Sequence, residues 1–172
     1  MGNRPAEELE VGRRFYEALM PGLDASHFGP MWHMVTMGHL VLADLDRLAA
    51  VHGLSIADLH LLGTVRIERE RPYRAIDLAR SLFVTPAVLT ARIKRLEARG
   101  LITREADQHD RRAAHVSVTE EGRRLVDGAI QEIAEQSAFV RAFRRLEEGE
   151  RDALGRALGL LHGELDRLLP YS

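Results

Sequence analysis

The chain has 172 residues, of which 45% are apolar and 29% are charged, and its net charge is −2. This length suits one domain, or one small domain with added helices, and excludes a large two-domain enzyme. The absence of cysteine excludes disulfides, thiolate zinc ligands and a cysteine nucleophile. The polar N-terminus lacks an apolar signal segment, so we expect a cytoplasmic protein with no membrane span.

Charge is distributed unevenly along the chain. Residues 74–112 contain nine basic and five acidic side chains, so this stretch is +4 while the remainder is −6. A basic segment within an acidic protein indicates a site for a polyanion, with ordinary solvated helix faces as the alternative.

The N-terminal third is predicted to be helical. One helix covers Ala6 to Met20, and a second runs from Met31 to Val51. Ser55 caps a third helix, with Asp58 at the position that closes a capping box, and this helix ends near Arg71.

A pair of short helices follows, joined by a tight connection at residues 83–84. The first covers Arg74 to Leu82. The second has Thr85 as its N-cap and Pro86 at its first position, and Gly100 stops it. Its buried stripe is predicted to be Leu89, Ile93 and Leu96.

After Gly100, the spacing of apolar residues changes from the period of a helix to that of a strand. Residues 101–104 and 114–118 read as two strands around a polar turn at 107–112. Thr119 caps a long helix that is predicted to run to Ala142, and a last helix covers 147–169.

The last helix carries leucines at alternating steps of four and three residues, which is a heptad seam. We expect this seam to mediate self-association, the alternative being that it packs on the second helix of its own chain. The seam residues are Leu154, Leu158, Leu161, Leu165 and Leu168.

The order helix, helix, strand, turn, strand predicts a winged helix-turn-helix. The fold class is therefore mainly α with a small two- or three-stranded β wing. The winged lobe is expected at 54–119, between N-terminal helices at 1–53 and C-terminal helices at 120–172 that serve dimerisation.

The helix that starts after Thr85 is predicted to enter the DNA major groove. Its outward face is small at Ala87 and Ala91 and basic at Lys94. Thr90 and Arg92 would meet base edges while Lys94 and Arg95 meet phosphates, the alternative for each arginine being a surface ion pair. The expected DNA contacts are Thr85, Pro86, Ala87, Thr90, Arg92, Lys94, Arg95 and, at the wing tip, His109 and Arg111.

The segments 78–102 and 107–122, with Thr85-Pro86 and Thr119-Glu120-Glu121-Gly122 among their motifs, resemble the MarR family of bacterial transcription regulators. The resemblance implies a homodimer on a pseudo-palindromic operator. It also implies release of DNA when a small aromatic or phenolic ligand binds. The family's wing motif has arginine where this chain has His109, which shifts the expected minor-groove contact to Arg111. Residues 1–28 extend beyond the family's minimal chain.

Effector contacts are expected at Trp32, His33, Met37 and His60, because an aromatic ligand needs stacking, soft and polar contacts. The alternative is that Trp32 and Met37 are core or dimer-interface residues. A zinc-responsive regulator is a second alternative, but His33 and His39 are six residues apart and do not share one helix face.

No enzyme class is supported by the motifs. The dipeptide His109-Asp110 lacks further ligands for a metal site, and no phosphate-binding loop or nucleophile elbow is present. We therefore expect no catalytic residue, no metal and no cofactor. A dimeric interaction module without DNA binding would need an acidic recognition face, which Arg92, Lys94 and Arg95 oppose.

Overall fold

The computed structural model describes residues 4–22, 24–67, 73–106 and 113–169, which fall into two units, Met1–Ala43 and Asp44–Ser172. The described elements are α1 (Arg4–Leu19), α2 (Phe28–Val51), α3 (Ile56–Ile67), β1 (Tyr73–Arg74), α4 (Ala75–Ser81), α5 (Pro86–Ala98), β2 (Ile102–Ala106), β3 (Ala113–Val118), α6 (Glu120–Gln136), α7 (Ala138–Phe143) and α8 (Glu148–Leu168).

The first unit contains α1 and the first part of α2. Gly12 permits a close approach between them, because a Cβ there would lie 2.8 Å from Cζ of Phe28. The Tyr16 hydroxyl lies 3.2 Å from Nε2 of His27. Helix α2 begins at Phe28, three residues before the predicted start at Met31, because the Met31 amide already donates a helical hydrogen bond to the His27 carbonyl at 3.0 Å.

The second unit is built around a core that α3, α4, α5, α6 and the sheet share. The apolar stripe predicted for α5 is confirmed as part of this core. Helix α3 is described as far as Ile67, and the rest of the predicted helix lies outside the described residues. The largest fully buried apolar side chains are Leu48, Leu61, Leu62, Leu78, Leu89, Leu96, Ile102 and Val126.

The connection between α4 and α5 is a tight turn at Phe83, whose φ is +52°. The Val84 amide closes the end of α4 by donating to the Ala79 carbonyl at 3.0 Å. Thr85 caps α5 as predicted, and Gly100, with φ +70°, follows its end. These two helices and their turn set the angle at which α5 is presented.

The wing is a three-stranded antiparallel sheet in the order β1-β3-β2. Strands β2 and β3 confirm the predicted ribbon. The prediction that the short helix starts at Arg74 is wrong. Arg74 lies in β1, where it pairs with Ala113 of β3, and α4 begins at Ala75.

The prediction of one long helix to Ala142 is also wrong, because the helix breaks at Ser137 into α6 and α7. The Asp44 carboxylate accepts hydrogen bonds from the Ser137 hydroxyl at 2.9 Å and from the Ala138 amide at 2.7 Å. Ser137 is fully buried and has extended backbone (ψ 132°), so it ends one helix and caps the next.

Helix α8 starts with a capping box between Glu147 and Glu150, and none of its residues is buried. Among the described residues, no single helix is long and apolar enough to cross a membrane, and only α2 and α3 taken together as a bent pair meet that test of length and composition.

Candidate nucleic-acid interface

Helix α5 separates its residues into a buried side and an open side. Leu89, Ile93 and Leu96 are 0–6% exposed and attach the helix to the core. The opposite side is solvent-exposed and carries small and basic side chains. Its residues are Ala87, Ala91, Lys94 and Ala98.

The start of α5 is fixed by local hydrogen bonds. The Thr85 hydroxyl accepts from the Val88 amide at 3.3 Å, as an N-cap does. The Thr90 hydroxyl donates to the Pro86 carbonyl at 2.8 Å, which leaves its oxygen lone pairs available as acceptors. Thr85 and Pro86 are exposed beside the open face.

The two arginines of α5 predicted to touch DNA contact the first turn of α3. Arg92 donates from Nη1 to the Ala57 carbonyl at 3.4 Å. Arg95 forms an ion pair with Asp58 through Nη2. The ion-pair alternative considered for Arg95 is therefore present in the structure, although 56% of the Arg95 side chain remains exposed.

Asp58 is a buried carboxylate with several partners. Its Oδ2 accepts from the Ser55 amide at 3.2 Å, and its own amide donates to the Ser55 hydroxyl at 3.1 Å, so the predicted capping box is formed. Burial pushes the pKa of Asp58 up, but the hydrogen bonds with Ser55 and the interaction with Arg95 outweigh it and hold the pKa below its usual value. The carboxylate is thus stabilised in its charged form.

The contact between Asp58 and Arg95 of α5 is not predicted from the sequence. The Ser55-Asp58 spacing identifies only the helix cap, because Arg95 lies 37 residues further along the chain. A buried acid at a helix start and an arginine on a neighbouring helix were the available signals, but pairing them requires the fold.

The wing presents polar side chains on its described strands. Thr103, Arg104 and Glu105 are exposed on β2. His109 and Arg111, the predicted wing-tip contacts, lie outside the described residues.

The predicted effector residues fall in both units. In the first unit, Trp32 is half-buried and contacts His33 edge to face, with ring centroids 5.0 Å apart. Met37 is four residues after His33 and is exposed. His60 is exposed on α3 in the second unit.

Metal-binding geometry is not found in the described part of the chain, where no three His, Asp or Glu side chains converge.

The predicted dimerisation leucines lie on α8. Leu154 is half-buried, and the other four are 42–73% exposed.

The helix pair α4–α5 with the antiparallel sheet beside it is a winged helix-turn-helix. A sequence model of the MarR family matches residues 52–113, which spans α3 to the start of β3. The chain is also 26% identical over 147 residues to the HTH-type transcriptional regulator PecS of Dickeya dadantii (strain 3937), covering 84% of this chain and 87% of PecS.

Solved structures of regulators share this fold. CouR from Rhodococcus jostii RHA1, bound to p-coumaroyl-CoA, superposes with a TM-score of 0.64 at 23% identity, covering 87% of this chain and 95% of CouR. MepR of Staphylococcus aureus, in a complex with DNA, gives a TM-score of 0.68 at 20% identity, covering 78% of this chain and 95% of MepR. The winged lobe of the chain is therefore similar in sequence to MarR-family transcription regulators, and its fold is shared with solved regulators of known structure.

Proposed function

We propose that the protein is a homodimeric, sequence-specific double-stranded DNA-binding repressor that responds to a small ligand. The observation that carries the proposal is the open face of α5. Its small residues at Ala87 and Ala91 allow close approach to a groove, and Lys94 supplies a cation beside them.

DNA binding is supported by the neighbours of the same fold. The MepR structure is a complex with DNA, and CouR has also been solved on a 23-mer DNA duplex. In our proposal, α5 enters the major groove, with Thr85, Pro86, Ala87 and Thr90 near base edges and Lys94 and Arg95 near phosphates. Arg92 donates to the Ala57 carbonyl through Nη1, so its proposed base contact uses the remaining N–H donors of the guanidinium. His109 and Arg111 are proposed to contact DNA from the wing.

Dimerisation is supported by the exposed leucines of α8. Leu158, Leu161 and Leu165 are 42–47% exposed within one chain, and a heptad seam left open in this way is suited to a second copy. We propose that helices from 1–53 and 120–172 form the dimer, with the winged lobe at 54–119 presented twice. A two-fold pair of lobes fits a pseudo-palindrome whose half-sites are about one helical turn apart.

The effector is proposed to be a small aromatic or phenolic compound. CouR was solved with p-coumaroyl-CoA, which supports an aromatic ligand for this chain too. The proposed contacts are Trp32, His33 and Met37 in the first unit and His60 in the second, because these residues offer an aromatic ring, a thioether and imidazole hydrogen-bonding groups.

The proposal is tested by selection from a pool of random-sequence duplexes with the full-length protein. We expect enrichment of a pseudo-palindrome and loss of binding as salt rises, because phosphate contacts release counterions. Recovery of no common sequence would contradict sequence-specific regulation and favour an interaction module without DNA readout.

A further inference from the structure

We propose that Asp58 is a positioning residue for DNA binding, which acts through Arg95 by holding its guanidinium so that the exposed edge meets a DNA phosphate. This inference rests on the proposed function and deepens it. It assigns a role in DNA affinity to a buried acid that lies outside the recognition helix.

The first support is the burial of Asp58. The residue is 4% exposed, and each of its oxygens is engaged, Oδ2 by the Ser55 amide and Oδ1 by Arg95. A buried carboxylate that loses its cation is left poorly compensated, so Arg95 is strongly held at this position. The ion pair should therefore persist when DNA is bound.

The second support is the exposed part of Arg95. Its contact with Asp58 is made through Nη2, while 56% of the side chain is open to solvent. Because a guanidinium has five N–H donors in a planar fork, Arg95 can keep Asp58 on one side and offer donors to a phosphate on the other. A fixed arginine loses less side-chain entropy on binding than a free one.

The third support is a second bond to the same turn of α3. Arg92, one turn before Arg95, donates to the Ala57 carbonyl, the residue next to Asp58. Two guanidinium groups of α5 thus contact the first turn of α3, which restrains the rotation of α5 about its own axis. Asp58 supplies the charged member of this pair of contacts.

The direction in which DNA affinity changes on replacing Asp58 distinguishes positioning of Arg95 from a simple effect of charge. Replacing Asp58 by asparagine removes a negative charge, and charge alone predicts tighter binding to a polyanion. Positioning through Arg95 predicts weaker binding.

The experiment measures fluorescence anisotropy of a labelled mixed-sequence duplex of about 30 base pairs at low salt, with the full chain. We expect Asp58→Asn to weaken binding by about three- to ten-fold, and Asp58→Glu, which keeps the charge and the capping-box chemistry, to recover most of the loss. The matched control is Asp127→Asn, which removes an acid paired with Arg66 between α3 and α6 and should not weaken binding.

A double-mutant comparison shows whether Asp58 acts through Arg95. Arg95→Gln keeps a donor for Asp58 but removes the cation, so the slope of log affinity against log salt should fall by about 0.9. In the Arg95→Gln background, Asp58→Asn should change affinity by less than about two-fold. This salt slope also tests the phosphate contact if Asp58→Asn does not fold.

Three outcomes would overturn the inference: equal or tighter binding by Asp58→Asn, an unchanged salt slope in Arg95→Gln, or an equal loss from Asp58→Asn in both backgrounds. Failure of the unmodified protein to bind any duplex would instead contradict the proposed function, and this inference with it.

Discussion

Helices α5 and α8 have the same apolar spacing and opposite surroundings. In α5, the apolar residues at 89, 93 and 96 are at most 6% exposed, and the polar side of the helix is open. In α8, Leu158 and Leu161 are 42% and 44% exposed, and no residue of the helix is buried. The spacing of apolar residues predicts which face they form, but the fold decides whether the same chain covers that face.

The difference indicates two kinds of external contact. The open side of α5 is small and basic, which suits a polyanion, while the open side of α8 is apolar, which suits another apolar surface. A change in α5's core should therefore alter folding of the lobe, whereas a change in α8's seam should alter assembly.

The largest effect is expected from Leu161→Asp. In a two-fold dimer the change places two carboxylates in the seam, where burial of charge is costly. Sedimentation equilibrium should show a dimer for the unmodified protein and a species near the 19.3 kDa chain mass for the variant. Asp152→Asn, on the same helix but outside the seam, is the control. If the Leu161→Asp variant remained a dimer, the leucine seam of α8 would not be the dimer contact.

The next effect is expected from Leu96→Ala. This side chain is fully buried between α5 and the core, so its truncation should lower the free energy of unfolding by about 2–5 kcal/mol. Chemical denaturation at a fixed protein concentration measures the change. A loss below 1 kcal/mol, of the size expected for a surface site, would mean that α5 is not anchored as described.

A smaller effect is expected from Gly122→Ala in the first turn of α6. A Cβ at this position would collide with the Leu101 carbonyl oxygen and lie 2.7 Å from Cγ1 of Val118, so we expect a loss of about 1–3 kcal/mol. Gly63→Ala in α3 is the control, because nothing lies within 4 Å of its Cβ, and helix propensity should make it neutral or stabilising. Equal thermal midpoints for the two variants would contradict the close contact at Gly122.

The fold of the lobe was predictable because its signals are local. Thr85-Pro86 starts α5 and Gly100 ends it, and both functions depend on backbone geometry within a few residues. The motif that ends at Gly122 resembles a known family, but the sequence alone does not show why a glycine is needed there. The structure supplies that reason in the close approach of α6 to Leu101.

Long-range contacts were not predictable from the sequence. At the break at Ser137 the serine hydroxyl bonds to Asp44, which is 93 residues away, and Arg95 pairs with Asp58, which is 37 residues away. Serine is a common N-cap residue and Arg95 lies beside the open face of α5, but neither local pattern identifies the distant acid that completes the contact. Contacts at the candidate site are therefore less predictable than the elements that carry them.

The central claim is that the open face of α5 meets DNA, and Ala91→Glu tests it most directly. A carboxylate in the middle of this face should repel phosphates and obstruct the groove, so anisotropy with a duplex selected by the unmodified protein should show at least a roughly hundred-fold loss of affinity. Ala134→Glu, the same change on α6, should bind within about three-fold of the unmodified protein. Unimpaired binding by a folded Ala91→Glu variant would contradict the account.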